Sequence, residues 1–121
     1  MRYLANGKEI TVAVGTVIYT EGGEVGSDAV YYVKQGEVWV TRAMPDGYSF
    51  LYPVSQDRIF GAVPAIAGSK RTDTASAVSD CVLYVWNKEE FEKAVSLYIE
   101  FARLSIQELS QFMRAINQAL A

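Results

Sequence analysis

The sequence contains no histidine among its 121 residues. This absence excludes catalytic triads that use a histidine base and metal sites that are built from imidazole ligands. The single cysteine, Cys81, excludes an internal disulfide bond, and its apolar neighbours predict a small buried side chain instead of a reactive thiol. We therefore expect no metal, no cofactor and a location in the reducing cytoplasm.

Basic residues are also scarce, and long apolar runs are absent. Eleven Lys and Arg residues stand against 14 Asp and Glu residues, which gives a net charge of −3. Such a balance provides no basic surface, so we expect no direct contact with nucleic acid. No apolar segment reaches the roughly twenty residues of a membrane span, and none has the position of a signal peptide. The sequence thus indicates neither membrane insertion nor export.

Short strands separated by turns are predicted from residue 10 to residue 86. A chain of this length with 50% apolar residues is expected to form one domain with an adequate core. Helical patterns do not alternate with the strands, which favours an antiparallel sandwich or jelly roll over a parallel α/β sheet. The predicted strands cover residues 10–14, 17–20, 30–34, 37–42, 48–52, 74–78 and 81–86.

Two helices are predicted after the last strand. Asn87 is a suitable N-cap and Glu90 occupies the capping-box position, so a short helix should run to about Val95. Ser96 is free to cap a second helix, which should extend over residues 97–120 because this segment contains no glycine or proline.

The long helix carries apolar residues at alternating intervals of three and four, which is the spacing of a coiled-coil seam. A helix of that length measures about 36 Å and would extend beyond so small a domain. We therefore predict that the seam mediates dimerisation, with residues 1–95 forming a β domain with a hinge helix and residues 96–121 the dimerisation helix. The alternative is a helix that packs only on its own domain. The seam residues are Ile106, Leu109, Met113, Ile116 and Leu120.

Residues 60–74 combine a glycine turn, the start of a short helix and an arginine. Gly61 permits a close approach or a positive φ, Pro64 suits the first position of the helix and Gly68 suits its end. This geometry would direct backbone N–H groups and a helix N-terminus into one concavity that stabilises a phosphate or a carboxylate. Arg71 would add a guanidinium that binds two anionic oxygens. The alternative is a surface turn with a solvated arginine.

Two motifs resemble the cyclic-nucleotide-binding domain of catabolite-activator-type regulators, cyclic-nucleotide-dependent kinases and channels. The first comprises residues 15–22 and 31–40. The second resembles the phosphate-binding cassette, which the family writes as Phe-Gly-Glu, a helical turn and Arg-Thr-Ala. Here it reads Phe-Gly-Ala at 60–62 and Arg-Thr-Asp at 71–73. The resemblance covers nearly the whole chain and implies a mainly β, double-stranded β-helix jelly roll with a short inserted cassette helix and a C-terminal helix pair, the last one long.

The resemblance also implies the roles of individual residues. Arg71 would contact the cyclic phosphate and Thr72 would add a hydroxyl bond, while the backbones of Gly61, Ala62 and Val63 would line the pocket. The family glutamate that accepts the ribose hydroxyl is replaced by Ala62, whose side chain accepts nothing. The loss of such a charge-assisted hydrogen bond costs about 1.5 to 3 kcal/mol, or roughly ten- to a hundredfold in affinity.

A second departure from the family pattern is Asp73, which stands where the family has a small residue. Its negative charge lies two positions from Arg71 and is expected to neutralise part of the anion site. In the long helix, Ala115 and Ile116 occupy the place where activator proteins hold hydroxyl residues against the adenine.

We therefore expect a small-ligand-sensing regulatory domain of a catabolite-activator-type transcription regulator or signalling protein. Its ligand would be a cyclic nucleotide or another small anion, it would form a homodimer through the C-terminal helix, and it would catalyse no reaction. The family's regulators carry a DNA-binding domain after the long helix, and the sequence ends at Ala121 without one. The alternative is a ligand-free dimerisation module in which Arg71 forms a structural ion pair with Asp73 or Asp57.

Overall fold

A computed structural model describes residues 4, 6–23 and 28–120 of the protein, and within these residues the chain forms eight strands and three helices. In chain order these are β1 (Lys8–Val12), β2 (Val17–Tyr19), β3 (Val30–Gln35), β4 (Val38–Ala43), β5 (Ser49–Val54), β6 (Ile59–Phe60), α1 (Ala62–Ala67), β7 (Thr74–Ala77), β8 (Cys81–Trp86), α2 (Lys88–Leu97) and α3 (Ile99–Leu120).

The strands form two four-stranded antiparallel sheets with the orders β1-β8-β3-β6 and β2-β7-β4-β5. The first strand pairs with the eighth, the second with the seventh, the third with the sixth and the fourth with the fifth. A chain that pairs from its ends inward is one long hairpin rolled into two sheets, which is the double-stranded jelly roll. The predicted fold class is thus confirmed.

The predicted strands all occur, each within two residues of its expected ends. The first strand lies earlier than expected because the chain turns after Val12: the Thr16 N–H donates to the carbonyl of Ala13 at 3.1 Å, and Gly15 has a φ of 89°. Strand β6 was not predicted, since two residues are too few to show an alternating pattern.

Apolar side chains form two core clusters. The first fills the space between the sheets and includes the buried side chains of Val33, Val54, Leu83 and Cys81, so the prediction of a buried cysteine is confirmed. The second joins the roll to the helices, with the ring of Trp86 on β8 packed 4.9 Å from that of Phe101 on α3. The second cluster therefore holds the C-terminal helices against the roll.

The capping box predicted at the start of α2 is confirmed. The Asn87 side chain accepts from the Glu90 N–H at 2.8 Å, and the Glu90 carboxylate accepts from the Asn87 N–H at 2.9 Å. The prediction for Ser96 is wrong, because α2 continues past it and its hydroxyl donates to the carbonyl of Glu92 at 2.9 Å. The extended backbone of Tyr98 separates α2 from α3. The predicted boundary between the β domain with its hinge helix and the dimerisation helix, after residue 95, therefore falls inside α2.

Helix α1 lies between two glycines in the left-handed conformation. Gly61 precedes it with a φ of 81°, and Gly68 follows it with a φ of 67° while donating its N–H to the Pro64 carbonyl at 2.8 Å. Pro64 is the third residue of the helix, so its prediction as the first residue is wrong. The third position tolerates proline equally well, because N–H groups in the first turn have no acceptor within the helix.

Helix α3 buries Phe101, Ser105 and Glu108 against the rest of the domain. Within the described part of the chain, no helix is long and apolar enough to cross a membrane.

Candidate functional site

A small cavity lies where the β-roll, the start of α1 and helix α3 meet. Its volume is about 40 Å³, and its walls are mostly apolar. Pockets that bind small molecules usually measure roughly 300 to 1,000 Å³, so the free space in this cavity is much smaller than that of a typical ligand pocket. The lining residues are Tyr19, Val40, Tyr52, Val54, Ile59, Phe60, Gly61, Ala62, Val63, Asp73, Glu108, Leu109 and Phe112.

Three of the predicted site residues, Gly61, Ala62 and Val63, form one wall of this cavity. A Cβ atom at position 61 would lie 2.9 Å from Nη1 of Arg71 and 3.2 Å from the carbonyl oxygen of Ala29. Position 61 therefore requires glycine for two reasons, the positive φ and the close approach of the arginine.

Arg71 is buried inside the roll with only 3% of its surface exposed, so the alternative of a solvated arginine is wrong. Nη1 donates to the Gly61 carbonyl at 2.9 Å and Nη2 to the Ala29 carbonyl at 2.8 Å. The guanidinium carbon lies 3.9 Å from the ring centre of Tyr19, an arrangement in which the π face attracts the cation. Among the described residues, Nε of Arg71 has no hydrogen-bond partner.

The structural ion pair considered for Arg71 is not formed. The ion pairs in the described ranges are Lys34–Glu9 and Arg58–Glu108, and neither includes Arg71. Asp57 instead accepts a hydrogen bond from the hydroxyl of Tyr32 at 2.8 Å. The positive charge of Arg71 is therefore stabilised by backbone carbonyls and an aromatic ring.

Thr72 and Asp73 differ in their relation to the cavity. The half-buried Thr72 does not line it, and its hydroxyl donates to the Asp73 carboxylate at 3.3 Å. Asp73 is 7% exposed and lines the cavity, and its burial raises the pKa of the carboxyl group against the opposing effects of Tyr19, Thr72, Arg71 and Arg42. The cavity thus contains a carboxylate that was not predicted to be a site residue.

The hydroxyl of Tyr19 lies in the same buried region. No residue in the described ranges makes a hydrogen bond of good geometry with this hydroxyl. Burial, followed by the charge of Asp73, raises the pKa of Tyr19 well above its ordinary value. The phenol therefore stays protonated and keeps its capacity to donate.

Comparison with known proteins identifies the family. The family model described as the cyclic nucleotide-binding domain matches residues 4–98. This range includes both parts of the first motif and the whole cassette. The chain belongs to the cyclic nucleotide-binding domain family. No curated protein sequence matches this cyclic nucleotide-binding domain.

Several solved structures resemble this domain. The catabolite activator protein of Thermus thermophilus has a TM-score of 0.80 and 21% identity, over 98% of this chain and 55% of that chain. The CO-dependent transcription factor CooA of Carboxydothermus hydrogenoformans has a TM-score of 0.77 and 18% identity, over 98% and 50%. The cAMP-bound PfPKA-R has a TM-score of 0.64 and 26% identity, over 74% and 31%. The domain therefore spans only part of each protein, and its likeness to the two regulators shows a shared fold.

An ion pair connects the roll of this cyclic nucleotide-binding domain to Glu108, the α3 carboxylate that lines the cavity. Arg58 donates from Nε to both carboxylate oxygens of Glu108, at 3.0 and 3.2 Å, and from Nη2 at 2.9 Å. The same Nη2 also donates to the hydroxyl of Tyr52 and, at 3.1 Å, to Oε1 of Gln111. The sequence contains no local signal for this contact, because the two charged residues are 50 positions apart.

The predicted seam residues differ in their exposure. Leu109 lines the cavity, and Ile116 is half-buried. The exposed stripe of α3, defined as Ile99, Ile106, Met113 and Leu120, repeats every seven residues, and each side chain is at least 60% exposed. Its apolar side chains are therefore not covered by the described part of the domain.

Proposed function

We propose that this domain is a small-ligand-sensing regulatory domain in which a ligand enters the cavity and changes the position of α3. The observation that carries this proposal is the position of α3 itself, which supplies one wall of the cavity through Glu108, Leu109 and Phe112. A ligand in the cavity therefore contacts the helix directly. Binding can shift the equilibrium between two helix positions by the difference in affinity for them.

The size of the cavity supports this coupling. A nucleotide requires far more space than about 40 Å³. Gly61, Ala62 and Val63 belong to the side of the cavity that is fixed to the roll. The additional volume for a ligand is therefore gained most easily when α3 moves and the contact between Arg58 and Glu108 opens. Entry of the ligand and displacement of the helix would thus be one event.

The charge of Arg71 supports a ligand with phosphate or a similar group. Its Nε lacks a partner among the described residues, and its charge is not neutralised by an ion pair there. A cyclic nucleotide is the ligand that the family suggests, as in the cAMP-bound PfPKA-R. We expect this binding to be weak, because Ala62 cannot accept the ribose hydroxyl.

Thermal unfolding with cyclic AMP and cyclic GMP at millimolar concentration tests the proposal. At ten times the Kd, a ligand stabilises the folded state by about 1.4 kcal/mol. The wild type and Lys70→Arg, an exchange at an exposed neighbour, should show the same shift in Tm. Arg71→Lys should show a smaller one, because an ammonium group cannot bind two oxygens in the planar geometry of a guanidinium. No stabilisation of the wild type would instead favour the ligand-free dimerisation module.

We further propose that the domain forms a homodimer through the exposed stripe of α3, together with the remaining seam residues Leu109 and Ile116. Apolar residues spaced by seven along 22 residues of helix favour pairing with a second, identical helix. Covering the stripe would remove four large apolar side chains from water.

Sedimentation velocity tests the dimer. Ile106→Glu should shift the domain to a monomer, because it introduces a charge into the seam. Gln107→Glu adds a charge at the neighbouring exposed position and should leave the dimer intact. The dimer proposal would be refuted by a monomeric wild type, or by equal sedimentation of both variants and the wild type.

We also propose that the domain belongs to a larger regulatory protein. Its likeness in fold to the catabolite activator protein and CooA supports a regulatory domain of a cytoplasmic transcription regulator, without a reaction of its own. The output would pass from α3 to a partner subunit or to a DNA-binding domain.

A further inference from the structure

Asp73 places a buried carboxylate in the wall of the cavity that the proposed ligand would enter. Two hydroxyl groups of the described residues act on it. Thr72 donates a hydrogen bond at the long distance of 3.3 Å, and Tyr19, on the same wall, interacts with the carboxylate without a hydrogen bond of good geometry. A carboxylate has room for about four hydrogen bonds, so part of its capacity to accept remains unused.

The negative charge of Asp73 is not cancelled by a direct contact. Arg71 and Arg42 both act on it electrostatically, but the described residues include no ion pair between Asp73 and either arginine. The donors Nη1 and Nη2 of Arg71 bind the carbonyls of Gly61 and Ala29 instead. An anionic group in the cavity would therefore meet a carboxylate beside the guanidinium.

We propose that Asp73 determines the specificity of this site, by lowering the affinity for a ligand that places an anionic group beside it and favouring a ligand that donates hydrogen bonds to it. The inference depends on the proposed function, since it assumes that a ligand occupies the cavity. Like charges repel strongly where little water separates them, and that repulsion lowers the affinity for an anion. A hydroxyl or amino group of the ligand would instead satisfy the unused acceptors of Asp73.

Adenosine and cyclic AMP form a matched pair of probes, because they share the base and the sugar and differ in the charged phosphate. Their Kd values are measured by calorimetry for the wild type, Asp73→Asn and Asp46→Asn. The last variant removes the same charge at an exposed turn, where Asp46 accepts from the N–H of Tyr48 and an asparagine oxygen can do the same. Asp73→Ala serves as a second cavity variant, and thermal unfolding identifies the variants that are folded.

We expect Asp46→Asn to keep the wild-type ratio of the affinities for adenosine and cyclic AMP. Asp73→Asn should bind cyclic AMP at least about tenfold more tightly than the wild type, and the preference should shift toward the anion. If the wild type and both Asp73 variants bind cyclic AMP equally, the ligand site stands and the role of Asp73 is overturned. If no variant binds either probe, the role of Asp73 is overturned together with nucleotide sensing.

Discussion

Two arginines near the cavity use their guanidinium groups in different ways. Arg71 is buried, donates to two backbone carbonyls and forms no ion pair among the described residues. Arg58 is partly exposed and binds the carboxylate of Glu108 through two nitrogens. Arg58 therefore connects the roll to α3, whereas the charge of Arg71 is left to act on other groups inside the roll. Arg71, whose charge has no ion-pair partner among the described residues, is therefore the arginine to test for ligand binding.

The largest effect on stability is expected from Arg71→Met. Methionine keeps most of the volume but leaves the carbonyls of Gly61 and Ala29 without their donors, at a cost of about 2 to 4 kcal/mol of unfolding free energy. Urea denaturation measures this change. Arg103→Met, at an exposed position of α3, is the control and should stay within about 0.5 kcal/mol of the wild type. Equal stability of the two variants would show that the buried guanidinium is not needed for the fold.

A double-mutant cycle on Arg58 and Glu108 tests the other arginine. With Arg58→Met and Glu108→Leu, we expect a coupling energy of about 1 to 2 kcal/mol in the unfolding free energy, because the hydrogen bonds are charge-assisted but partly exposed to water. Strictly additive effects of the two substitutions would mean that the pair does not hold α3 against the roll.

The smallest effect on stability is expected from alanine substitutions at two glycines with similar backbone conformations. Gly61 and Gly47 have φ values of 81° and 88°, so alanine should be strained at both. At position 61 the new Cβ would also lie 2.9 Å from Nη1 of Arg71, whereas nothing lies within 4 Å of a Cβ at position 47. We expect Gly61→Ala to cost about 1 kcal/mol more than Gly47→Ala in thermal unfolding. A difference of zero would mean that Arg71 moves aside freely.

Features that depend on neighbouring residues were predictable from the sequence. The capping box at Asn87 and Glu90 follows from their spacing, and the glycines at 61 and 68 mark both ends of α1 because side chains disfavour a positive φ. The strands follow from short apolar segments between turns. The predicted cap at Ser96 is wrong because α2 continues past this residue to Leu97.

The cavity was predictable only in part. Its cassette wall was expected from Gly61, Ala62 and Val63, but its second wall comes from α3 and includes Glu108, which pairs with Arg58, 50 positions earlier in the chain. Asp73 was recognised as a charge near Arg71, while its position in the cavity wall and the carbonyl partners of Arg71 depend on how the strands roll together.

The order of residues alone determined the strand segments, the helix ends set by glycine and asparagine, and the heptad spacing on α3, because each of these depends on interactions over a few positions. Only the tertiary structure decided which arginine meets a carboxylate, which charge lines the cavity and which apolar side chains of α3 remain exposed. These outcomes depend on distances between segments that are far apart in the chain, and such distances exist only after the two sheets and α3 have packed together.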